Sequence, residues 1–265
     1  MEQQEELKMR THQFIAPSGF SYTIREENGE DEEILSNQAD AVNGNMNITK
    51  FIAAIVVATD FTEHGRLTVQ DALNLPFLDR YTIMLQNRIF SLGPVLDFQY
   101  KWPESTEPVT YEQDLRELLF DDYSQPITDE EKEAKPFAIP QYPDQELAKA
   151  LHYRGYELTL TSGKQIKLDW ADGNAEYAIS KLPINKQTRN SSLIARNLML
   201  KVGDNWEKVQ RFHLFSVRDM AEIQKAANHM DPTTNLMVEI DNPTTGETQM
   251  YPIIAAPRFF FLTEA

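Results

Sequence analysis

Two stretches of the chain repeat the same order of apolar and polar positions. "SGFSYTIREENGEDEEIL" begins at Ser18, and "SGKQIKLDWADGNAEYAI" begins at Ser162. In each, a Ser-Gly turn is followed by alternating apolar and polar positions and then by a Gly-bearing loop. This order is typical of a turn, a short strand and the start of a helix. Gly29 and Gly173 fall at the same place in the two stretches, so the pattern predicts the same local structures twice.

Each stretch is followed by a polar cluster and then by an apolar run. The two segments are "NITKFIAAIVVATDF" and "SSLIARNLMLKVGD". Ser, Thr and Asn are favoured where helices begin, because their side chains satisfy the first backbone N–H groups. Both segments therefore predict a helix with an apolar face.

A third pair of segments aligns without a gap. "LPFLDRYTIMLQNRIFSLGPVLDFQYKWPESTE" lies over "FSVRDMAEIQKAANHMDPTTNLMVEIDNPTTGE", so that Asp79 matches Asp219 and Pro103 matches Pro243. Each segment predicts a helix that begins near its aspartate, then a strand and a Pro-containing turn. Three matched blocks in one order indicate an internal duplication. We therefore expect an α+β fold of two related domains, built from short strands, β-hairpins and packed helices.

Length and composition divide the chain further. Its 265 residues are enough for two domains. Residues 116–150 are rich in acid and proline, which argues against a continuous helix or a central strand. They predict an extended linker or a partner-binding strap, with a plain surface loop as the alternative. The expected parts are an N-terminal arm (1–13), a first α+β repeat (14–115), the acidic strap (116–150), a second α+β repeat (151–258) and an apolar C-terminal tail (259–265).

Charge is distributed unevenly along the chain. The net charge is −16, and residues 14–115 carry six basic and sixteen acidic residues, whereas residues 151–265 carry thirteen of each. Such a surface repels phosphate backbones, so nucleic acid is a poor partner and a basic protein surface is a better one. The alternative is that the charge serves solubility alone. The candidate partner-binding acids are Glu26, Glu27, Glu30, Asp31, Glu32 and Glu33.

The C-terminal "APRFFFLTEA" is a second candidate interface. Consecutive apolar residues cannot all face one side of a sheet. Phe259, Phe260 and Phe261 therefore either enter the core or dock on a neighbouring protein.

The sequence lacks the patterns of common catalytic and cofactor sites. Cysteine is absent, which excludes disulfides and thiolate ligands, and the five histidines have no metal-ligand spacing. A G-x-S-x-G elbow, a P-loop and a G-x-G-x-x-G loop are also absent. The longest apolar run, residues 51–58, is too short for a bilayer, and the N-terminus does not resemble a signal peptide. We expect an intracellular protein with no catalytic residues, cofactor, metal or membrane contact.

Two predicted hairpin turns keep the frame of a zinc-knuckle turn, C-P-x-C-G, without its cysteines. The first turn reads W-P-E-S and the second N-P-T-T-G. The positions of the four ligands hold Trp102, Ser105, Asn242 and Thr245. Because thiolates supply the zinc affinity of such turns, we expect the hairpins to be held by packing instead.

The order of these elements resembles the baseplate-hub assembly proteins of T-even-type and related contractile-tailed phages. Members have a "PSG" strand segment, a "GEDEE"-like helix start and an "LPxxDRxxLLxxxRxxSxG" segment that leads into a C-P-x-C-G turn. The resemblance covers about residues 14–110 and 155–254. The matching positions are Pro17, Ser18, Gly19, Leu75, Pro76, Asp79, Arg80, Arg88, Ser91 and Gly93.

The resemblance implies a non-catalytic phage tail protein that contacts other tail or baseplate proteins in a larger complex. It would be present in the host cytoplasm during assembly, and would then either stay in the baseplate or hub or leave as a transient assembly chaperone. Two other classes stay open on the residues alone. One is an acidic inhibitor or mimic that binds a basic host protein, and the other is a metal-dependent enzyme built on the carboxylates.

Overall fold

The computed structural model describes residues 9–118, 155–183, 190–230 and 237–253. These residues form helices and antiparallel sheets, so the predicted α+β class is confirmed. The apolar tail at 259–265 lies outside the described residues, as does the strap from residue 119 onward.

The chain begins with an antiparallel hairpin that a later strand extends into a sheet of order β1-β2-β3. Its strands are β1 (Thr11–Ile15), β2 (Ser21–Arg25) and β3 (Val56–Thr59). Gly19 turns the hairpin with a φ of 87°, a conformation that favours glycine. The predicted N-terminal arm therefore ends inside β1, because residues 11–13 pair with β2.

Helices cover one side of this sheet and lead to a second hairpin. The helices are α1 (Gly29–Ser36), α2 (Gln38–Ala41), α3 (Met46–Ile55), α4 (Val69–Asn74) and α5 (Phe77–Leu92). The hairpin consists of β4 (Val95–Tyr100) and β5 (Val109–Asp114), followed by a 3-10 turn at Leu115–Leu118. Asn28 caps α1 with its side chain and forms a capping box with Asp31, which explains where that helix begins.

The second part of the chain repeats much of this element order. Its strands are β6 (Tyr156–Thr159), β7 (Gln165–Leu168), β8 (Met199–Val202) and β9 (Asn205–Lys208), in one antiparallel sheet of order β6-β7-β8-β9. Its helices are α6 (Gly173–Ser180), α7 (Ser191–Ala195) and α8 (Val217–Met230), with a 3-10 turn at Phe212–Leu214. A last hairpin pairs β10 (Met237–Asp241) with β11 (Thr248–Pro252).

The two apolar runs predicted as helices each divide into a helix and a strand. "NITKFIAAIVVATDF" ends its helix at Ile55 and continues as β3, and "SSLIARNLMLKVGD" changes from α7 to β8. In the first run the change occurs at two consecutive valines, which suit a pleated, half-buried strand. Pairing with β2 and β7 respectively also satisfies the backbone of β3 and β8, so tertiary context decides the outcome.

Most of the buried apolar residues in the described ranges belong to two clusters, which do not follow the predicted boundary between the repeats. The larger cluster lies under β1–β3, α3, α5 and the hairpin β4–β5, and the smaller one lies between the sheet β6–β9 and α8. Val238 and Ile240 on strand β10, and Ile253 directly after β11, are buried in the larger cluster. The end of the predicted second repeat thus packs into the core of the first.

Candidate functional site

Helix α5 carries the most specific part of the phage-protein resemblance, and its polar residues act as clamps between elements. Asp79 in its first turn is fully buried. The Ser18 N–H donates to Asp79 Oδ1 at 3.1 Å, and the Ser18 hydroxyl and the Tyr22 hydroxyl (2.8 Å) both donate to Oδ2. Asp79 therefore holds the β1–β2 hairpin against α5.

Burial sets the electrostatics of this clamp. Removal from water raises the pKa of Asp79 to about 6, although the hydrogen bonds from Ser18 and Tyr22 favour its ionised form. Burial and the neighbouring Asp79 also raise the pKa of the Tyr22 hydroxyl well above its ordinary value. A hydroxyl that stays protonated and donates to a carboxylate suits a structural role.

Arg80 lies beside this clamp and joins the two parts of the chain. Its guanidinium is buried, with Nη1 donating to the Ala72 carbonyl at 2.7 Å and Nη2 to Thr49 Oγ1 at 3.1 Å. Nη2 also lies 3.5 Å from Glu176 Oε2 on helix α6. Burial lowers the pKa of Arg80, and the charge of Glu176 opposes that shift.

The remaining residues of the same segment fix the other end of α5. Arg88 donates from Nη1 to the Gly93 carbonyl at 2.7 Å, across the turn into β4. Ser91 Oγ accepts from the Glu27 N–H at 3.0 Å and so attaches the loop before α1. Gly93 ends the helix with a φ of 92°, which explains the glycine there. Asp79, Arg80, Arg88 and Ser91 thus all bond groups outside helix α5.

A matching clamp occurs at the start of α8. Asp219 is buried and accepts from Lys164 Nζ at 2.7 Å and from the Ser216 N–H at 2.9 Å, and it also hydrogen-bonds Ser162. The Lys164 ammonium group is the largest cause that holds the pKa of this carboxyl well below its ordinary value. Both clamps had a signal in the sequence. The alignment of the two halves matches Ser18 with Ser162 and Asp79 with Asp219, so the same serine and aspartate occur in both.

Of the two turns that have the zinc-knuckle frame without cysteines (the degenerate turns), the second, at residues 242–246, is held by an asparagine side chain. Asn242 is buried, and its Oδ1 accepts from the Thr244 N–H at 2.9 Å and from the Thr245 N–H at 3.3 Å. This arrangement is an Asx-type turn, in which a side-chain oxygen satisfies backbone donors. The Thr245 hydroxyl accepts from the Glu247 N–H at 3.3 Å. The Asn242 side-chain oxygen therefore lies at the position where the zinc-knuckle frame has its first cysteine.

The first degenerate turn is held by an aromatic side chain. Trp102 is buried, its ring meets Tyr100 edge to face with centroids 5.0 Å apart, and its Nε1 donates to Tyr111 Oη at 2.8 Å. The Ser105 N–H closes the turn on the Trp102 carbonyl at 3.0 Å. Tyr111 was not predicted as part of this turn, although the alternating pattern V-T-Y-E-Q-D at Val109–Asp114 was a signal for its strand.

The two turns, far apart in the sequence, lie against each other in the structure. Tyr111 Oη donates to the Asp241 carbonyl at 2.8 Å, and Asn242 Nδ2 donates to Glu104 Oε1. Phe98 stacks on Tyr251 with ring centroids 4.8 Å apart. The hairpins β4–β5 and β10–β11 are thus joined by packing and hydrogen bonds.

The six candidate partner-binding acids fall into two groups. Glu30, Glu32 and Glu33 are exposed on α1. Asp31 is fully buried. Its two carboxylate oxygens accept from the Arg25 guanidinium, and one of them also accepts from the Asn28 N–H and closes the capping box. Asp31 is therefore not accessible to a partner. The prediction for Asp31 is corrected accordingly: an acid in the first turn of a helix can serve its own helix.

The other two acids are also engaged within the chain. Glu26 pairs with Arg10 across the β1–β2 hairpin. Glu27 is half-buried, and burial, followed by the charge of Asp31, raises its pKa to about 7. The partner-binding prediction is therefore strongest for the three exposed glutamates. The phenylalanines at 259–261 lie outside the described residues, so the structure does not test them.

Within the described ranges, no three histidine or carboxylate side chains are grouped as a metal site would require. No helix in the same ranges has the length and apolar character needed to cross a membrane. Comparisons with protein-family models, with curated proteins and with solved structures returned no match for this chain.

Proposed function

We propose that the chain is a non-catalytic tail protein of a contractile-tailed phage, acting at the baseplate or hub through protein–protein contacts. The observation that carries this proposal is the junction of the two degenerate turns. Trp102 and Asn242, at two of the positions where the resemblance expects cysteines, both secure a junction between hairpins. A frame retained without its metal is explained if the paired hairpins are needed as a rigid scaffold.

The scaffold is, in this proposal, a duplicated unit. Three features support duplication: the repeated order of hairpin, helices, strand, long helix and hairpin, the matched clamps at Asp79 and Asp219, and the matched helix starts at Gly29 and Gly173. The inter-repeat contact between Arg80 and Glu176 would hold the two units together.

The contact surface of this scaffold is proposed to be its acidic first half. Glu30, Glu32 and Glu33 are exposed on one short helix whose position is fixed by the Asn28 cap and by the Asp31–Arg25 pair. Rigidly held carboxylates attract and orient a basic protein surface without the entropic cost of ordering a loop. Basic surfaces of other tail or baseplate proteins are the expected partners.

The proposal is tested by quantitative mass spectrometry of purified particles beside the crude lysate of the producing cells. Retention in particles at a fixed, low copy number identifies a structural baseplate or hub component. Abundance in the lysate together with absence from particles identifies an assembly chaperone. Absence both from particles and from every complex of tail proteins overturns the proposal. Inhibition of a basic host protein would then be the better-supported function.

A second test concerns the acidic helix. The triple variant Glu30→Gln, Glu32→Gln and Glu33→Gln should weaken capture of the tail-protein complex and reduce its sensitivity to salt. The matched control is Glu63→Gln, Glu107→Gln and Glu112→Gln, which removes the same charge from other exposed positions. Equal losses in both triple variants would mean that only net charge matters.

A further inference from the structure

The sheet β6–β9 has one face on the smaller core and a second face turned away from it. Ile166, Leu168 and Leu200 point into the core. Because side chains alternate along a strand, the residues between them lie on the other face. Six of the residues on this outer face are Glu157, Lys167, Met199, Lys201, Trp206 and Lys208.

This outer face is basic and has a tryptophan near one edge. Lys201 is directly opposite Trp206 in the β8–β9 register, and its Nζ lies 5.9 Å from the centroid of the indole ring. Lys208 lies on the same strand as Trp206 and donates to Asn197 Oδ1 at 2.7 Å. Lys201 and Lys208 are exposed, and Trp206 is half-buried. In an otherwise acidic protein, this face concentrates positive charge.

A partly exposed tryptophan between lysines has the character of a binding hot spot. The indole offers a large apolar area with little rotamer entropy to lose, and the lysine stems add apolar contact around it. The ammonium groups select an anionic partner. A purely solvated sheet face would not need its tryptophan.

Two kinds of anionic partner could use such a face, and the charges distinguish them. Tight binding to a nucleic acid relies on many phosphate contacts, roughly six to ten in well-studied cases. This face offers Lys167, Lys201 and Lys208 together with Glu157, on a chain whose net charge of −16 repels a polyanion. A short acidic helix fits better, because two or three carboxylates can be matched one to one.

The chain itself contains such a helix. Glu30 and Glu33 are exposed on α1 and are three residues apart, which places them on the same side of the helix. We propose that the outer face of β6–β9, centred on Lys201, Trp206 and Lys208, binds helix α1 of a second copy of the chain through Glu30 and Glu33. The two surfaces differ, so the contact is head-to-tail, and each bound copy keeps one unused surface for the next.

The size of the face sets the strength of this contact. Four strands about 4.8 Å apart and four residues long give a face of roughly 200 Å². A standard stable interface buries about 800 Å² on each partner. The association should therefore be weak and sensitive to salt, and should build up only at high local concentration, as within an assembly.

The first measurement is sedimentation velocity of the full chain over a concentration series at low and at high salt. We expect species larger than a dimer to accumulate with concentration at low salt, and the association constant to fall at least about tenfold at high salt. A chain that remains monomeric at the highest concentration in low salt overturns the proposal.

Charge reversal identifies the surfaces. K201E/K208E disables the sheet face, and E30K/E33K disables the helix, so each variant alone should be monomeric. An equal mixture contains two pairs of complementary surfaces: the native helix with the native face, and the reversed helix with the reversed face. The mixture should therefore associate and grow with concentration as the native chain does, whereas each variant alone does not. Circular dichroism and urea unfolding confirm that each variant is folded.

The remaining outcomes also decide the question. Self-association that survives both reversals overturns the proposed surfaces. Binding of a labelled single-stranded oligonucleotide that K201E/K208E abolishes, without self-association of the native chain, would make this a nucleic-acid face instead. The inference rests on the protein-binding role proposed for α1, but the two fail separately. A monomer in solution overturns the self-contact, whereas absence from particles and from tail-protein complexes overturns the tail role.

Discussion

Two aspartates at matched positions begin the long helices α5 and α8, yet their surroundings give them opposite electrostatic behaviour. Asp79 accepts from the neutral donors of Ser18 and Tyr22, and burial raises its pKa to about 6. Asp219 accepts from the Lys164 ammonium group, which lowers its pKa. Both attach a Ser-Gly turn to a helix, so the same geometric task is solved with and without a counter-ion.

The two clamps show two ways to stabilise a buried carboxylate. A carboxylate in a protein interior is stabilised either by a cation or by enough hydrogen-bond donors to replace water. The first clamp uses donors alone and lies on the larger apolar cluster, so its charged form remains disfavoured. The second has a lysine that reaches solvent, with its side chain about one third exposed. The first clamp should be the more sensitive to mutation, and its charge should change closer to neutral pH.

The largest effect is expected for Asp79→Ala. The change would leave the Tyr22 hydroxyl and both Ser18 donors buried without their acceptor, at about 1–3 kcal/mol for each unsatisfied group. The free energy of unfolding should fall by about 3 kcal/mol or more, measured by urea denaturation. Asp219→Ala is the matched variant, and it should cost less because Lys164 can turn to water. Equal losses in the two variants would contradict the comparison.

The next effect is the pH dependence of the first clamp. Since the pKa of Asp79 is raised in the folded protein from 3.8 to about 6, the folded state binds more protons than the unfolded state in that range. Its contribution to stability is therefore present below pH 4 and is lost as the pH rises through about 6. The difference in unfolding free energy between native protein and Asp79→Asn should fall by about 2 kcal/mol from pH 4 to 7.

Asp219→Asn gives the opposite sign. The lowered pKa of Asp219 contributes stability above the ordinary value of 3.8, and this contribution is lost as the pH falls through the folded-state pKa. The native and variant proteins should converge in stability toward acid. Glu27, whose raised pKa acts in the same direction as that of Asp79, is unchanged in each pair and therefore cancels. Parallel profiles for the two variants would refute the assignment.

The sequence predicted the local structures well where a pattern has a single physical meaning. The Ser-Gly turns, the helix starts after Asn28 and Asp172, and the helix-to-strand passage near Gly93 follow from turn and capping chemistry. The division of the apolar runs at Ile55 and Ala195 could not be predicted, because it depends on pairing with β2 and β7. Periodicity within a short apolar run does not distinguish helix from strand.

The candidate site was predicted in part. The sequence predicted that packing, and not a metal, holds the two hairpins, and it did not predict the hydrogen bonds that Asn242 accepts in the second turn. The meeting of the two turns did not follow, because it depends on long-range contacts such as Tyr111 with Asp241. The burial of Asp31 could not be predicted either, because counting charges does not show which acids form ion pairs inside the fold.

The two glycines that begin α1 and α6 provide a further comparison between the two parts of the chain. A Cβ at Gly173 would lie 2.8 Å from Arg80 Nη1 and 2.9 Å from the Leu73 carbonyl oxygen, whereas nothing lies within 4 Å of a Cβ at Gly29. Gly173→Ala should therefore cost about 1–3 kcal/mol through overpacking. Gly29→Ala should stay within about 0.5 kcal/mol of the native protein. A neutral Gly173→Ala would mean that the contact of Gly173 with Leu73 and Arg80 is loosely packed.

The smallest effect is expected at the second turn, where Asn242 accepts hydrogen bonds from two backbone N–H groups and Thr245 accepts one. Asn242→Ala would leave the N–H groups of Thr244 and Thr245 without their side-chain acceptor and would remove the bond to Glu104. We expect a loss of about 1–2 kcal/mol in unfolding free energy, together with faster amide hydrogen exchange in the turn. Thr245→Ala removes one long hydrogen bond at an exposed residue and should change stability by less than about 0.5 kcal/mol.

If both variants were neutral, the hairpin would owe its position to the apolar contacts of Val238 and Ile240 alone. The hydrogen bonds of Asn242 would then have no energetic role, and the turn sequence would be free to vary.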